Sequence, residues 1–291
     1  MRTYEQMVRT DAQAVLAHAL ARGITFFDDA RYNAATDDAP LKSGWSEVLF
    51  GELFRAVEAP RDRVAVANKL WWEFWPAQDA VAELRGSLDR MGFERLDLLY
   101  SATLPETVSV AVCVQQISRV LDTGLVGAWG ICNWSAEELA LAAAECDRAG
   151  IPAPCAAQLP YSVGRTGWVD STAMDDALEA CGASLVPSHA LAGGVLSGKY
   201  SGGAAAGRMS EAELASDRYQ DALRVAAALG PIAQRAETTP AALAIAFTLA
   251  HPRTATTLVG ATSPAQLDEL LDAVQLASRL TAADLDELRA L

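Results

Sequence analysis

Short apolar runs alternate along the chain with longer stretches whose apolar residues recur every three or four positions. The runs ITFFDD (24–29), VAVANK (64–69), LDLLY (96–100), VGAWGI (126–131), CAAQL (155–159), SLVPS (184–188) and TTLVGA (256–261) predict buried strands. Each is mostly apolar rather than alternating, as parallel strands covered on both faces should be. Between them, DAQAVLAHALARG, SEVLFGELFRAVE, QDAVAELRGSLDRMG, SVAVCVQQISRVLDTG, SAEELALAAAECDRAG, MDDALEACG and PAALAIAFTLAHP predict helices. PAQLDELLDAVQLAS and TAADLDELRAL add two more at the end. Several open on Ser or Pro and close on Gly, the residues that start and stop helices.

Repeated strand–helix units imply a parallel sheet with right-handed crossovers and helices outside it. Seven strands are one short of a closed (β/α)8 barrel, so a doubly wound open sheet remains a rival on pattern alone. Its phosphate fingerprint, GxGxxG after the first strand, is absent. No internal repeat or linker stands out, and residues 1–291 read as one domain. SGGAAAGRMS (201–210) reads as a surface loop.

The formal net charge of −14 narrows the partners, because phosphate backbones need a basic stripe that this chain lacks. The five cysteines are odd in number, widely spread and contain no CxxC, so neither a disulfide framework nor a zinc site is expected. The amino terminus, MRTYEQMVRTDAQ, has no apolar signal core, and nowhere do about 18 apolar residues run together. These features predict a cytoplasmic protein with reduced thiols and a small-molecule partner, without nucleic acid or membrane.

In such folds reactive side chains collect at the carboxyl ends of strands. Asp28 and Asp29 end the first predicted strand, followed by Arg31, Tyr32 and Asn33; Lys69 ends the next, followed by LWWEFW. Lys69 ends a run of four apolar residues, Val64 to Ala67, with Asn68 between, and a buried ammonium needs a partner, for which Asp28 is the natural choice. That pair is either chemical or merely organises the site. Trp71, Trp72, Phe74 and Trp75 cap the barrel or wall a flat ligand. Carboxylates at Asp28, Asp29 and Glu73 match no metal-binding spacing, so no metal is expected. Tyr100 and Ser101 end the third strand, Cys132 and Asn133 follow the fourth, Gln158 and Tyr161 the fifth, Ser188 and His189 the sixth. Of three histidines only His189 sits at a strand end, where an imidazole moves protons near neutrality. No GxSxG elbow supports a Ser-His-Asp arrangement.

GITFFDDA, WSEVLFGELFR, RDRVAVANK, SLDRMGFERLDLLY, GAWGICNWS, LAGGVLSGKY and VGATSPAQLDELL, in this order, resemble blocks of the aldo-keto reductases. The nearest branch contains the potassium-channel β-subunits and bacterial sugar-modifying reductases. The resemblance implies a (β/α)8 barrel, here without a counterpart of the family's amino-terminal hairpin and first strand before Met1. It also implies an extended NADPH site and a catalytic Asp, Tyr, Lys and His. Asp28 and Lys69 take the Asp and Lys positions. Asn33 stands where the family has Tyr, with Tyr32 one residue early, and Ala102 stands where it has His. Asn133 and Gln158 match carboxamide-holding residues. Leu191, Gly193 and Lys199 match the pyrophosphate loop, and Gln266 falls in the adenine-side block. Tyr161 falls nearby. Ser188 replaces the aromatic that stacks on the nicotinamide, and Leu270 replaces an adenine-contacting Asn.

The resemblance therefore implies a barrel whose redox site is lost or rebuilt, with NADPH binding weakened or lost. The expected function is redox-neutral proton transfer (dehydration, epimerisation or isomerisation) on a small carbonyl metabolite such as a keto-sugar or polyketide intermediate. Asp28, Tyr32, Asn33, Lys69 and His189 are its candidate catalytic residues, and Asp29, Trp71, Trp72, Trp75, Ala102 and Tyr161 its pocket. Two alternatives stay open. One is an NADPH-dependent reductase with Tyr32 as proton donor; the other is a non-catalytic module that binds cofactor or protein.

Overall fold

Local signals set most helix ends in the computed structural model, which describes residues 7–34, 39–200 and 209–291. Asp79, Ser109, Ser135, Thr239 and Thr281 each accept a hydrogen bond from an otherwise unpaired first-turn amide. Gly92 and Gly150 close two helices in left-handed backbone, where a glycine avoids the Cβ clash.

The order is α1 (Arg9–Ala21), β1 (Phe26–Asp28), α2 (Trp45–Ala56), β2 (Ala65–Leu70), α3 (Ala80–Met91), β3 (Leu96–Ser101), α4 (Val110–Asp122), β4 (Val126–Cys132), α5 (Ala136–Ala149) and β5 (Ala156–Pro160). Then follow α6 (Thr172–Cys181), β6 (Ser184–Ser188), α7 (Glu211–Leu214), α8 (Asp217–Arg235), α9 (Pro240–Leu249), α10 (Pro264–Ala277) and α11 (Ala282–Arg289). The six strands lie in the sheet in sequence order, β1-β2-β3-β4-β5-β6. A doubly wound sheet reverses its strand order at a switch point. No reversal occurs here, so the fold is the (β/α)8 type and the open-sheet rival falls.

The chain divides into two compact units. The first comprises Met1–Gln158, Ala173–Ser184 and Gly260–Leu267; the second comprises Leu159–Thr172, Leu185–Val259 and Asp268–Leu291. In the first, parallel registers run Phe27↔Val66, Lys69↔Tyr100, Tyr100↔Gly130 and Cys132↔Gln158.

Two expectations need correction. The run 256–261 forms no strand: in the second unit the chain there makes one parallel bridge, Leu185↔Thr254, and the Leu258 amide bonds to the Pro187 carbonyl. The sequence reading also named no helix between 211 and 239, where the structure has α7 and the 19-residue α8. A Gly-Pro pair at 230–231 breaks the helical signal of α8, since Pro removes an amide and crowds the preceding turn. Of the predicted loop 201–210, residues 201–208 lie outside the described residues.

Candidate active site

Successive side chains of a strand point to opposite faces. In β2, Asn68 turns toward the helices, donating to Glu47 of α2 at 3.0 Å and contacting Met91 of α3. Lys69 therefore takes the other face. In β3, Ser101 lies against Cys113 of α4, so Tyr100 shares the face of Lys69. The registers extend this row to Cys132 and Gln158, and Asp28 joins it from β1.

Contacts bear this out. Lys69 Nζ donates to both Asp28 carboxylate oxygens, at 2.7 and 2.6 Å, and lies 3.5 Å from the Asp29 carbonyl oxygen. The same ammonium sits 5.7 Å from the centre of the Tyr100 ring. Gln158 Nε2 donates to Asp28 Oδ1 at 3.1 Å, while Cys132 Sγ donates to Gln158 Oε1 at 3.3 Å. Burial pushes the Cys132 thiol up to about 11, so it stays a donor. Burial alone would pull Lys69 down. Asp28, with Tyr32 and Cys132, overcomes it and raises Lys69 above its ordinary value. Lys69 therefore stands as a cation held by Asp28.

The loop after β1 carries Tyr32, half-buried, its ring edge-on to Trp71 with centroids 5.7 Å apart. Burial pushes Tyr32 up to about 12, with Lys69 pulling the other way. Asn33, one residue on, is exposed and forms a bridge with Ser43. The tyrosine one residue early thus takes the inner place and the asparagine the outer one.

Among the aromatics, Trp71 and Trp75 are half-buried. Trp72 is not an open wall: it is buried, and its indole N–H donates to Ser101 Oγ at 2.9 Å. Ala102 is buried too, its carbonyl accepting from Trp134 Nε1 at 2.9 Å. Asp29 is fully buried, and neither of its carboxylate oxygens has a hydrogen-bond partner among the described residues.

Gly130 gives the Tyr100 ring its place, because a Cβ there would stand 3.1 Å from the ring and 2.4 Å from the Ala156 carbonyl oxygen. Gly130→Ala should therefore cost about 1–3 kcal/mol through overpacking. Thermal unfolding checks it; an unchanged Tm would contradict this packing.

Three groups were missed as site members by sequence reasoning. Cys132 and Tyr100 were visible only as strand ends, and period-two alternation from Lys69 would have placed them on its face. The third is Glu83, an acid on the buried stripe of an amphipathic helix, which is itself a signal.

In the second unit, His189 is exposed just after β6 in left-handed backbone (φ 54°). Tyr161 is a core residue rather than a pocket residue. It is 1% exposed, stacked on Phe247 at 5.4 Å, edge-on to His251 at 5.3 Å, with its hydroxyl 3.5 Å from Asp170. Leu191 begins a turn through Ser197 in which consecutive Gly193 and Gly194 are left-handed (φ 70° and 96°). A Cβ at Gly194 would stand 3.0 Å from Lys199 Nζ.

The left-handed Gly193–Gly194 turn, in which the Gly194 amide bonds to the Leu191 carbonyl, and Lys199 beside it suit phosphates. Gln158 keeps one amide hydrogen and one oxygen lone pair beyond its bonds to Asp28 and Cys132. Asn133 is exposed at φ 62°, and Gln266 accepts from the Thr262 amide and hydroxyl at 2.9 Å each. Glu73 pairs with Arg31 at 2.9 Å, and no group of acids, histidines and cysteines among the described residues could hold a metal ion. No helix among them is long and apolar enough to cross a membrane.

The sequence model of the aldo/keto reductase family matches residues 1–291. The chain is 28% identical over 296 residues to a probable voltage-gated potassium channel subunit beta of Oryza sativa subsp. japonica, covering 96% of this chain and 87% of that protein. It is 27% identical over 294 residues to a protein of the same description from Arabidopsis thaliana, covering 96% and 86%.

Proposed function

We propose that this chain, which belongs to the aldo/keto reductase family, transfers a proton at a carbonyl-bearing small molecule without net oxidation or reduction. The observation that carries this reading is the buried Lys69 ammonium bonded to both Asp28 oxygens, with Asn33 and Ala102 where the family resemblance expects Tyr and His.

Carbonyl chemistry of this kind passes through an enolate or alkoxide, and a fixed cation beside the oxygen stabilises it. Lys69 supplies that charge, and Asp28 keeps it protonated and aimed. Tyr32 is the proton carrier. Its phenol is protonated at neutral pH, and the neighbouring ammonium favours release of the proton as negative charge builds on the substrate oxygen. Trp71 and Trp75 offer apolar faces of the kind that stack on sugar rings or flat acyl groups, so a keto-sugar or polyketide intermediate is the proposed substrate class. The carbon-bound proton passes to solvent water, which returns a proton, or a deuteron in heavy water, to the same carbon.

A second reading is favoured by the glycine pair and Lys199. Bound NADPH would supply a hydride to the carbonyl carbon, and Tyr32 would protonate the resulting alkoxide. Both readings need Tyr32. Deuterium incorporation next to the carbonyl, followed by NMR across a panel of keto-sugars and β-dicarbonyls in heavy water, tests the first. Tyr32→Phe should slow it about 10²–10⁴-fold. Exchange surviving at near wild-type rate rules Tyr32 out.

A further inference from the structure

Buried acids that neither touch the candidate chemistry nor face solvent usually hold something in place, and Glu83 on α3 holds two things at once. Its Oε1 accepts from the Trp71 amide at 2.7 Å and its Oε2 from the Trp72 amide at 3.2 Å. Trp72 stands in left-handed backbone (φ 63°), costly for a residue with a Cβ. The paired amide bonds hold the chain in that sharp turn directly after β2, the strand that carries Lys69. The turn sends the Trp72 indole to Ser101 and leaves Trp71 against Tyr32.

The same carboxylate reaches the neighbouring loop. Arg31 Nη2 lies 3.8 Å from Glu83 Oε1 and 2.9 Å from Glu73, and Arg31 Nη1 donates to Ser43 at 3.0 Å. Arg31 is buried and immediately precedes Tyr32. Glu83 thus joins the loop that bears Tyr32 to the turn that follows Lys69. Burial raises Glu83 above the usual carboxylate value, and the Trp71 amide and Arg31 oppose that rise.

We propose that Glu83 is a positioning residue that sets the Tyr32 phenol against Trp71 and Lys69. The proposal rests on the proton-transfer reading for its meaning, and its test reads geometry independently of turnover. Glu83→Gln keeps size but loses the charge that faces Arg31, and it sets an NH2 donor against one of the two amides that the separate carboxylate oxygens accept from.

The experiment is 19F NMR of the full chain carrying 5-fluorotryptophan, with Trp71 assigned through Trp71→Phe. Tyr32→Leu defines the Trp71 signal once the neighbouring ring is gone. In Glu83→Gln the Trp71 signal should move toward that position, while those of the buried Trp129 and Trp134 stay put. Proton-exchange turnover should fall at least tenfold, mainly in kcat. An unmoved Trp71 signal overturns the proposal, and so do displaced Trp129 and Trp134 signals, which would make Glu83 a general support of the fold. A moved Trp71 signal with no exchange activity in the wild type would keep the positioning role and sink the proton-transfer reading instead.

Discussion

Lys69→Met should reduce carbonyl proton transfer by about 10²–10³-fold, the range expected when a fixed charge beside a developing oxyanion is removed. The substitution keeps an unbranched side chain of similar length in β2 and deletes only the cation. Asp28 then loses both ammonium bonds, at 2.7 and 2.6 Å, and keeps the 3.1 Å bond from Gln158. Removing one partner of a buried ion pair can cost about 3–5 kcal/mol. The Asp28 side chain is 12% exposed, which moderates that cost. The double substitution Asp28→Asn/Lys69→Met removes both charges and separates folding from chemistry. It should unfold near the wild-type temperature and stay inactive. A single or double variant that is folded and turns over at the wild-type rate would remove Lys69 from the mechanism.

The second large effect is on stability. Asp29 is wholly buried and pushed up from 3.8 to about 7, chiefly by burial, with Glu47 and Asp28 adding to the rise. The folded protein therefore binds this proton more tightly than the unfolded chain does. Stability falls as pH rises from about 4 to about 7, and above that the full penalty stays in place. A rise of roughly three units corresponds to at most about 4 kcal/mol. Asp29→Asn should leave Tm nearly unchanged at pH 4 and raise it by several degrees at pH 8. A variant no more stable than wild type at pH 8 would show that Asp29 carries no such penalty.

The strands were legible because each is a short apolar run, and six of them appear within two residues of the expected ends. The run at 256–261 has the same composition but forms no ladder: just before it Thr254 bridges to Leu185, within it Leu258 bonds to Pro187, and composition cannot reveal whether a neighbour extends such contacts. The Asp28–Lys69 pair was legible from electrostatics, since a lysine at the end of a buried, mostly apolar strand must find an acid. The register of Tyr32 was less so: whether it or Asn33 turns inward depends on the loop between 29 and 44, which the Gly44 amide closes onto the Tyr32 carbonyl at 2.8 Å. Tyr161 and Trp72 were misplaced for one reason. Aromatic residues at strand ends suit a pocket wall and a core equally well, and only their packing partners, Phe247 for one and Ser101 for the other, decide. Glu83 was visible only as an acid on the buried stripe of its helix; which groups it holds was not, because its partners are backbone amides that leave no trace in sequence.

The central claim is that the Asp28–Lys69–Tyr32 group moves protons without a hydride carrier. Enzyme stripped of nucleotide should convert a responsive keto-sugar or β-dicarbonyl at the same rate with and without added NADPH, with no NADPH consumed. Product that forms only with NADPH, one cofactor oxidised per molecule, would contradict it and establish the reductase.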